Sequence, residues 1–307
     1  MSEGRRLARK KDFLLQRAAI MAAIRRFFVS RDYMEVETPH RIPAPAPESH
    51  IDAIPSDDWF LHTSPELCMK RLLAAGYPRL FQICRCFRGR ENGSRHLPEF
   101  TLLEWYRAGI NYLELMSECE DLVIGIARDM GKGVEIAYGG KTIRLEKPWE
   151  RCSVQEAFER YASLSLEEAL KKGFFDEIMA FEIEPQLGKE RPTFLYDYPL
   201  SLGALARRKA GDPAFAERFE LYIGSMELVN AFSELTDAEE QRDRFLKEEG
   251  QRRSAGKRPY PMPERFLRVL PEMPESAGAA LGVDRLVMIF TGAAEIRDVV
   301  AFAPEDL

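Results

Sequence analysis

Cysteine and histidine are scarce in this sequence, and they are poorly spaced for chemistry. The five cysteines (Cys68, Cys84, Cys86, Cys119 and Cys152) are odd in number and lack metal-site spacing. That excludes a disulfide framework and points to a reduced, cytoplasmic protein. Cys84 and Cys86 stand two apart in an apolar run, the spacing of a strand and not of a redox pair. The four histidines do not cluster along the chain, so a structural zinc is not expected. No stretch approaches the roughly eighteen apolar residues of a membrane span, and no signal peptide follows the basic N-terminus. Positive charge is not in excess either. Lys and Arg number 44 against 50 Asp and Glu, a net charge of -6, which argues against a general nucleic-acid binder. The basic clusters at Arg5, Arg6, Arg9, Lys10 and Lys11 and at Arg252, Arg253, Lys257 and Arg258 each read alone as a solvated face. Neither G-x-x-x-x-G-K-[S/T] nor G-x-G-x-x-G occurs, so a nucleotide here is held by other means.

What is present suits a single folded unit. The 307 residues are 45% hydrophobic and 31% charged, with the two signs interspersed and no repeat or low-complexity tract. The apolar spacing predicts an amphipathic helix over 13–31, a strand over 33–38 that stops at Pro39, and a proline-rich loop over 43–55. Ser64 and Pro65 open another helix as cap and first turn. Strands are predicted at 80–88 and 100–106 around a long polar loop, then helices over 111–130 and 153–180. Further strands follow over 191–198, 218–223 and 226–235, and 276–291 begins as a strand and continues as a helix. The expected fold class is α+β, a mostly antiparallel sheet flanked by helices.

Three segments carry chemistry. A strand period of two puts Phe100, Leu102, Glu104 and Tyr106 on one face. Glu104 is then an acid in mid-strand, as easily explained by a wet sheet face as by a site. Asn230, Phe232 and Glu234 share a face in the same way. A turn at Gly224 and Ser225 can bring Glu220 and Glu227 toward one point, an arrangement suited to a hard cation such as magnesium, although salt bridges are the default for each acid alone. In the third segment Gly278, Ala280, Gly282 and Arg285 place small residues at a helix entry, where the chain can pass close to a ligand.

Taken in order, these segments resemble the three signature motifs of class II aminoacyl-tRNA synthetases. Within that class the lysyl group is the nearest in pattern: 33–39 (YMEVETP), 63–72 (TSPELCMKRL), 98–106 (PEFTLLEWY) and 226–238 (MELVNAFSELTDA) all match. The resemblance implies a class II catalytic core over 1–307, without an N-terminal anticodon-binding OB-fold, using ATP and Mg2+. It also implies a truncated branch of the group that joins (R)-β-lysine or lysine to a lysine of elongation factor P in place of tRNA. A two-fold homodimer through the first helix and strand is a further implication.

Residue roles follow from the same resemblance. Arg88 would hold the α-phosphate and the substrate carboxylate, with Arg90, Glu91, His96 and Leu97 in the same nucleotide loop. Phe100 would stack on adenine, Arg285 would meet the γ-phosphate, and Gly282 would let the backbone approach ATP. Glu220, the Leu221 backbone and Glu227 would face ATP and magnesium. Ser64, Pro65, Glu66, Tyr106, Asn230, Glu234 and Ala280 would line the amino-acid pocket, with Glu66 near an amine and Glu234 taking the distal ammonium. Two positions depart from the family pattern: Arg90 stands where an acid is usual and Leu97 where an asparagine is. Two other readings use the same motifs, a silent paralogue that binds or regulates and a truncated synthetase that charges tRNA. Retention of Arg88, Glu227, Asn230, Glu234 and Arg285 together favours an enzyme. Candidate docking cations for an acidic acceptor are Arg25, Arg26, Arg90, Arg95 and the 252–258 cluster, with Arg95 the preferred one.

Overall fold

The computed structural model describes residues 3–307, with the side chains of Glu3 and Arg6 outside the description, so the N-terminal basic cluster is only partly seen. Helices α1 (Glu3–Arg9) and α2 (Lys11–Val29) come first. Ile20, Ala23, Ile24, Phe27 and Phe28 recur at helical spacing and are buried, as the sequence predicts. The strand expected over 33–38 is only β1 (Met34–Glu35), which pairs in parallel with a single neighbour. Short strands β2 (Arg41–Ile42), β3 (Pro55–Ser56) and β4 (Trp59–Leu61) then form a separate sheet around the proline-rich loop.

Helix α3 (Glu66–Ala74) is capped by Pro65, one residue later than expected. Ser64 Oγ still accepts the Glu66 N–H at 3.0 Å, so it does the capping work from outside. Strands β5 (Arg79–Phe87) and β6 (Glu99–Ala108) pair antiparallel around the polar loop. Helix α4 (Tyr112–Asp129) starts at a reciprocal Asn111–Glu114 capping box. The hairpin β7 (Glu135–Tyr138) and β8 (Lys141–Arg144), turned by left-handed Gly139 and Gly140, was not anticipated, nor was β9 (Glu150–Ser153).

The single helix expected over 153–180 is broken into α5 (Val154–Tyr161), α6 (Leu166–Lys172) and α7 (Phe175–Ile178). Ser165 caps a new helix with Glu168, and Gly173 ends it in the left-handed region. Strands β10 (Thr193–Pro199), β11 (Phe215–Ile223) and β12 (Met226–Ser233) follow. Helices α8 (Ala238–Ser254) and α9 (Glu264–Val269) come next, then β13 (Ser276–Gly282) running into α10 (Val283–Thr291). Among the described residues the main sheet has eight strands in the order β1-β5-β6-β13-β12-β11-β10-β9, antiparallel from β5 to β10. This is the expected α+β architecture. No described helix is long and apolar enough to cross a membrane.

One side of the sheet is covered by α2, α4 and α10, and the other, partly covered by α3, α8 and α9, carries a cleft. Phe81, Leu103, Trp105, Val229, Ala231 and Ala279 pack under α2, α4 and α10 in the largest apolar cluster. Period two then turns Phe100, Leu102, Glu104 and Tyr106 of β6, with Asn230 and Phe232 of β12 and Ala280 of β13, to the opposite face. The cleft lies on that face.

Candidate active site

The central strands floor a cleft enclosing about 1200 Å³ of space open to solvent. Its walls are the β5–β6 loop, the start of α10, and the residues leading into α3. Of the positions expected from sequence, Ser64, Glu66, Arg88, Glu91, His96, Leu97, Phe100, Tyr106, Glu227, Asn230, Ala280, Gly282 and Arg285 all line it.

One end of the cleft is cationic. Arg285 Nη1 donates to the Glu227 carbonyl at 2.8 Å and lies 3.4 Å from the Glu227 carboxylate. Its Nη2 meets His96 Nε2, and its Nε donates to the Arg95 carbonyl at 3.3 Å. The Arg88 guanidinium lies 5.0 Å from the centre of the Phe100 ring. Burial first, then Arg285, Arg88 and Arg95, depress His96 to about 4, so its imidazole is neutral at neutral pH. This end is built to receive negative charge.

The other end is acidic. Glu104 is buried; it accepts from Ser64 Oγ at 2.5 Å and from Tyr106 OH at 2.9 Å. Burial and then the neighbouring Glu66 raise its carboxyl well above the ordinary range. Glu48, on the loop before β3, is pushed to about 7 by burial and then Glu66. Acids held this close in low dielectric favour a cation among them.

Five expected residues lie outside the lining. Glu234 lies below the cleft surface, its carboxylate ion-paired with the Lys70 ammonium at 2.5 Å. Lys70 also reaches Glu66 at 2.6 Å, so the position expected for a substrate ammonium already holds a cation of the chain itself. Burial opposes the Lys70 charge, but Glu234 and Glu66 outweigh it and raise its pKa. Burial raises Glu234 to about 8, with Lys70 acting in the opposite direction. Glu220 is on the cleft side of β11, opposite Asn230, but its carboxylate is occupied, accepting from Tyr198 OH at 2.5 Å, Tyr222 OH at 2.7 Å and Arg218 Nη2 at 2.5 Å. Leu221, expected to act through its backbone, turns its side chain to the other face, into the helix-side core. Pro65 shapes the entry of α3, and Arg90 is exposed at a left-handed turn, φ 67°, outside the lining. Gly278 is also reinterpreted. A Cβ there would collide with the Tyr106 ring and lie 2.7 Å from Glu234 Oε1, so its smallness serves packing inside the protein.

Other residues at the site were missed or left undecided. Lys70 could have been found as the partner of Glu66 one helical turn away, though not its burial. Arg218 holds Asn230 Oδ1 at 3.1 Å from the strand opposite, a contact that needs the β11–β12 register. Arg95 lines the cleft and donates to the Ser225 carbonyl at 3.1 Å, which puts the preferred docking cation at the cationic end of the cleft. Arg25 and Arg26 are ion-paired with Glu35 and Asp129 at 2.9 and 2.7 Å. Arg252 is buried, donating to the Glu48 and Ile51 carbonyls at 2.9 and 2.7 Å, so it anchors the Glu48 loop and is removed from the docking candidates.

Residues 5–306 match the family of tRNA synthetases class II (D, K and N). The chain belongs to the class II tRNA synthetase family. Similar curated proteins include the elongation factor P–(R)-β-lysine ligase of Erwinia tasmaniensis, 40% identical over 322 residues and 94% of each chain. Those of Enterobacter sp. and Pectobacterium atrosepticum are 39% and 38% identical, covering 94% and 95% of each chain. A class II core with a cleft cationic at one end and acidic at the other is that of an ATP-dependent ligase.

Proposed function

We propose that this class II enzyme activates (R)-β-lysine, or lysine, with ATP and transfers it from the adenylate to a lysine side chain of elongation factor P. The polarity of the cleft carries the reading. A substrate with an ammonium at one end and a carboxylate that must meet a triphosphate fits Glu66 and Glu104 at one end and Arg88 and Arg285 at the other. The names of the three relatives supply the acceptor.

The chemistry asks for no protein nucleophile. The substrate carboxylate attacks the α-phosphorus in line, and catalysis comes from positioning and charge neutralisation. Arg88, whose guanidinium lies over the Phe100 ring, would hold the carboxylate and the α-phosphate together. Arg285 and neutral His96, in contact with each other, would meet the outer phosphates. The acceptor amine then attacks the adenylate carbonyl, and AMP leaves.

Magnesium fits best at Glu227. Its carboxyl is raised to about 7 by burial and then by Glu220, and a divalent ion would relieve that repulsion. Glu220 would act indirectly, since its own oxygens are taken by Tyr198, Tyr222 and Arg218. A homodimer and a cytoplasmic setting belong to the same proposal. The apolar surface left by Leu15 and Val29 of α2 and Met34 of β1, 60%, 60% and 52% exposed, supports the dimer. ATP–pyrophosphate exchange with α-lysine and both β-lysine enantiomers tests the activation step. Absence of exchange with all three would hand the chain to a binding role.

A further inference from the structure

Beside the cleft, on the same face of the sheet, three soft ligands converge that the proposed reaction does not use. Cys84 and Cys86 alternate with Arg85 on β5, opposite Leu102 and Phe100 of β6. Both thiols are buried, and their Sγ atoms are 3.8 Å apart. His62, fully buried between β4 and α3, puts Nε2 at 3.9 Å from the Cys86 Sγ. One ligand atom from each residue lies within 4.8 Å of the other two.

Two of those separations, 3.8 and 3.9 Å, are near the edges of a tetrahedral metal site, and the third lies within 4.8 Å. Bonds of about 2.3 Å to sulfur and about 2.0–2.1 Å to nitrogen give edges of about 3.8 Å between sulfurs and about 3.6 Å between sulfur and nitrogen. The imidazole is also incompletely used. Its Nε2 is 2.6 Å from the Arg85 carbonyl, while its buried Nδ1 has no hydrogen-bond partner among the described residues.

We infer that His62, Cys84 and Cys86 form a binding site for a thiophilic divalent cation of the zinc type, with a fourth position left for water. Binding releases the two thiol protons, and the His62 proton passes from Nε2 to Nδ1. The Arg85 carbonyl loses a donor in this exchange. His62 stands two residues before Ser64, which donates to Glu104, and Cys86 two residues before Arg88. A bound ion therefore ties the segment carrying the acidic end of the cleft to the strand delivering its first arginine. Sequence spacing argued against a metal because His62 and the cysteine pair are distant in the chain. The β-sheet closes that gap.

The test uses the full-length protein, reduced, stripped with chelator and titrated with Co2+ and then Zn2+. One equivalent of Co2+ should give thiolate charge-transfer absorption and tetrahedral d–d bands, and Zn2+ should displace both. Cys86→Ser and His62→Gln should each weaken Zn2+ binding about 100-fold or more, since even outer-shell changes cost about 10–100-fold. Cys152→Ser, a buried thiol elsewhere, should leave binding unchanged. Circular dichroism checks that each variant is folded. If a variant is not, protection of Cys84 and Cys86 from alkylation by Zn2+ in the unaltered protein decides instead. No tetrahedral cobalt spectrum, equal binding in folded Cys86→Ser, or failure of Zn2+ to slow alkylation at least tenfold would overturn the site.

Discussion

Replacing Lys70 with methionine isolates the internal cation of the cleft. The Lys70 ammonium is buried between Glu234 at 2.5 Å and Glu66 at 2.6 Å. Methionine keeps most of the volume but leaves Glu234, itself fully buried, without its counter-charge. Removing one partner of a buried pair costs about 3–5 kcal/mol, whereas removing both charges together is often nearly neutral. Lys70→Met should therefore destabilise by about 3–5 kcal/mol, and adding Glu234→Gln should restore most of the loss. Equilibrium urea unfolding of the four proteins of this cycle gives the coupling directly. A Lys70→Met cost below about 1 kcal/mol, or no recovery in the double variant, would refute the claim that Lys70 is held by charge compensation. The double variant keeps Glu104 and Glu66 at the acidic end, so it should still bind a substrate ammonium. Exchange abolished in a stable double variant would return the distal ammonium to Glu234.

Ala280 sits in register with Glu104 and Asn230 and lines the cleft, so Ala280→Gly should raise exchange with α-lysine relative to β-lysine by about 10–200-fold, the worth of one methyl at about 1–3 kcal/mol. Glu227, raised to about 7, must ionise to hold a cation. Apparent Mg2+ affinity should fall up to about tenfold per pH unit below about 7, read by titration at several pH values; the same raised pKa favours the folded state at low pH, a contribution lost as pH rises through about 7. Arg90, exposed on the loop at the cleft mouth and outside the lining, joins Arg95 as an acceptor-facing cation. Arg90→Glu should slow transfer to elongation factor P while sparing exchange, and added salt should mimic it in the parent.

The main sheet and its cleft-bearing face were legible because strands such as β6 alternate cleanly and the motif residues repeat that alternation. Helix α8 was not, because its buried positions include Gln241, Glu249 and Arg252 beside Phe245, a polar seam that hydrophobic periodicity cannot detect. The region 153–180 failed for the opposite reason. Its apolar residues continue through the breaks, and only Ser165 and Gly173 mark them. In the site, residues presented by period two or by a motif loop were found. What stayed hidden depended on pairing across the chain: Lys70 against Glu234, Arg218 against Asn230, and His62 against the two cysteines. Glu104 lay between these cases. Its face was readable, but only the Ser64 and Tyr106 contacts distinguish a site acid from a solvated one.

Mass spectrometry of elongation factor P incubated with this enzyme, ATP, Mg2+ and (R)-β-lysine addresses the acceptor and the substrate together. One β-lysyl group should appear on a single lysine of the factor, dependent on ATP and lost in Arg88→Ala. An unmodified factor beside a charged lysine tRNA under the same conditions would contradict the reading and make the chain a tRNA-aminoacylating enzyme.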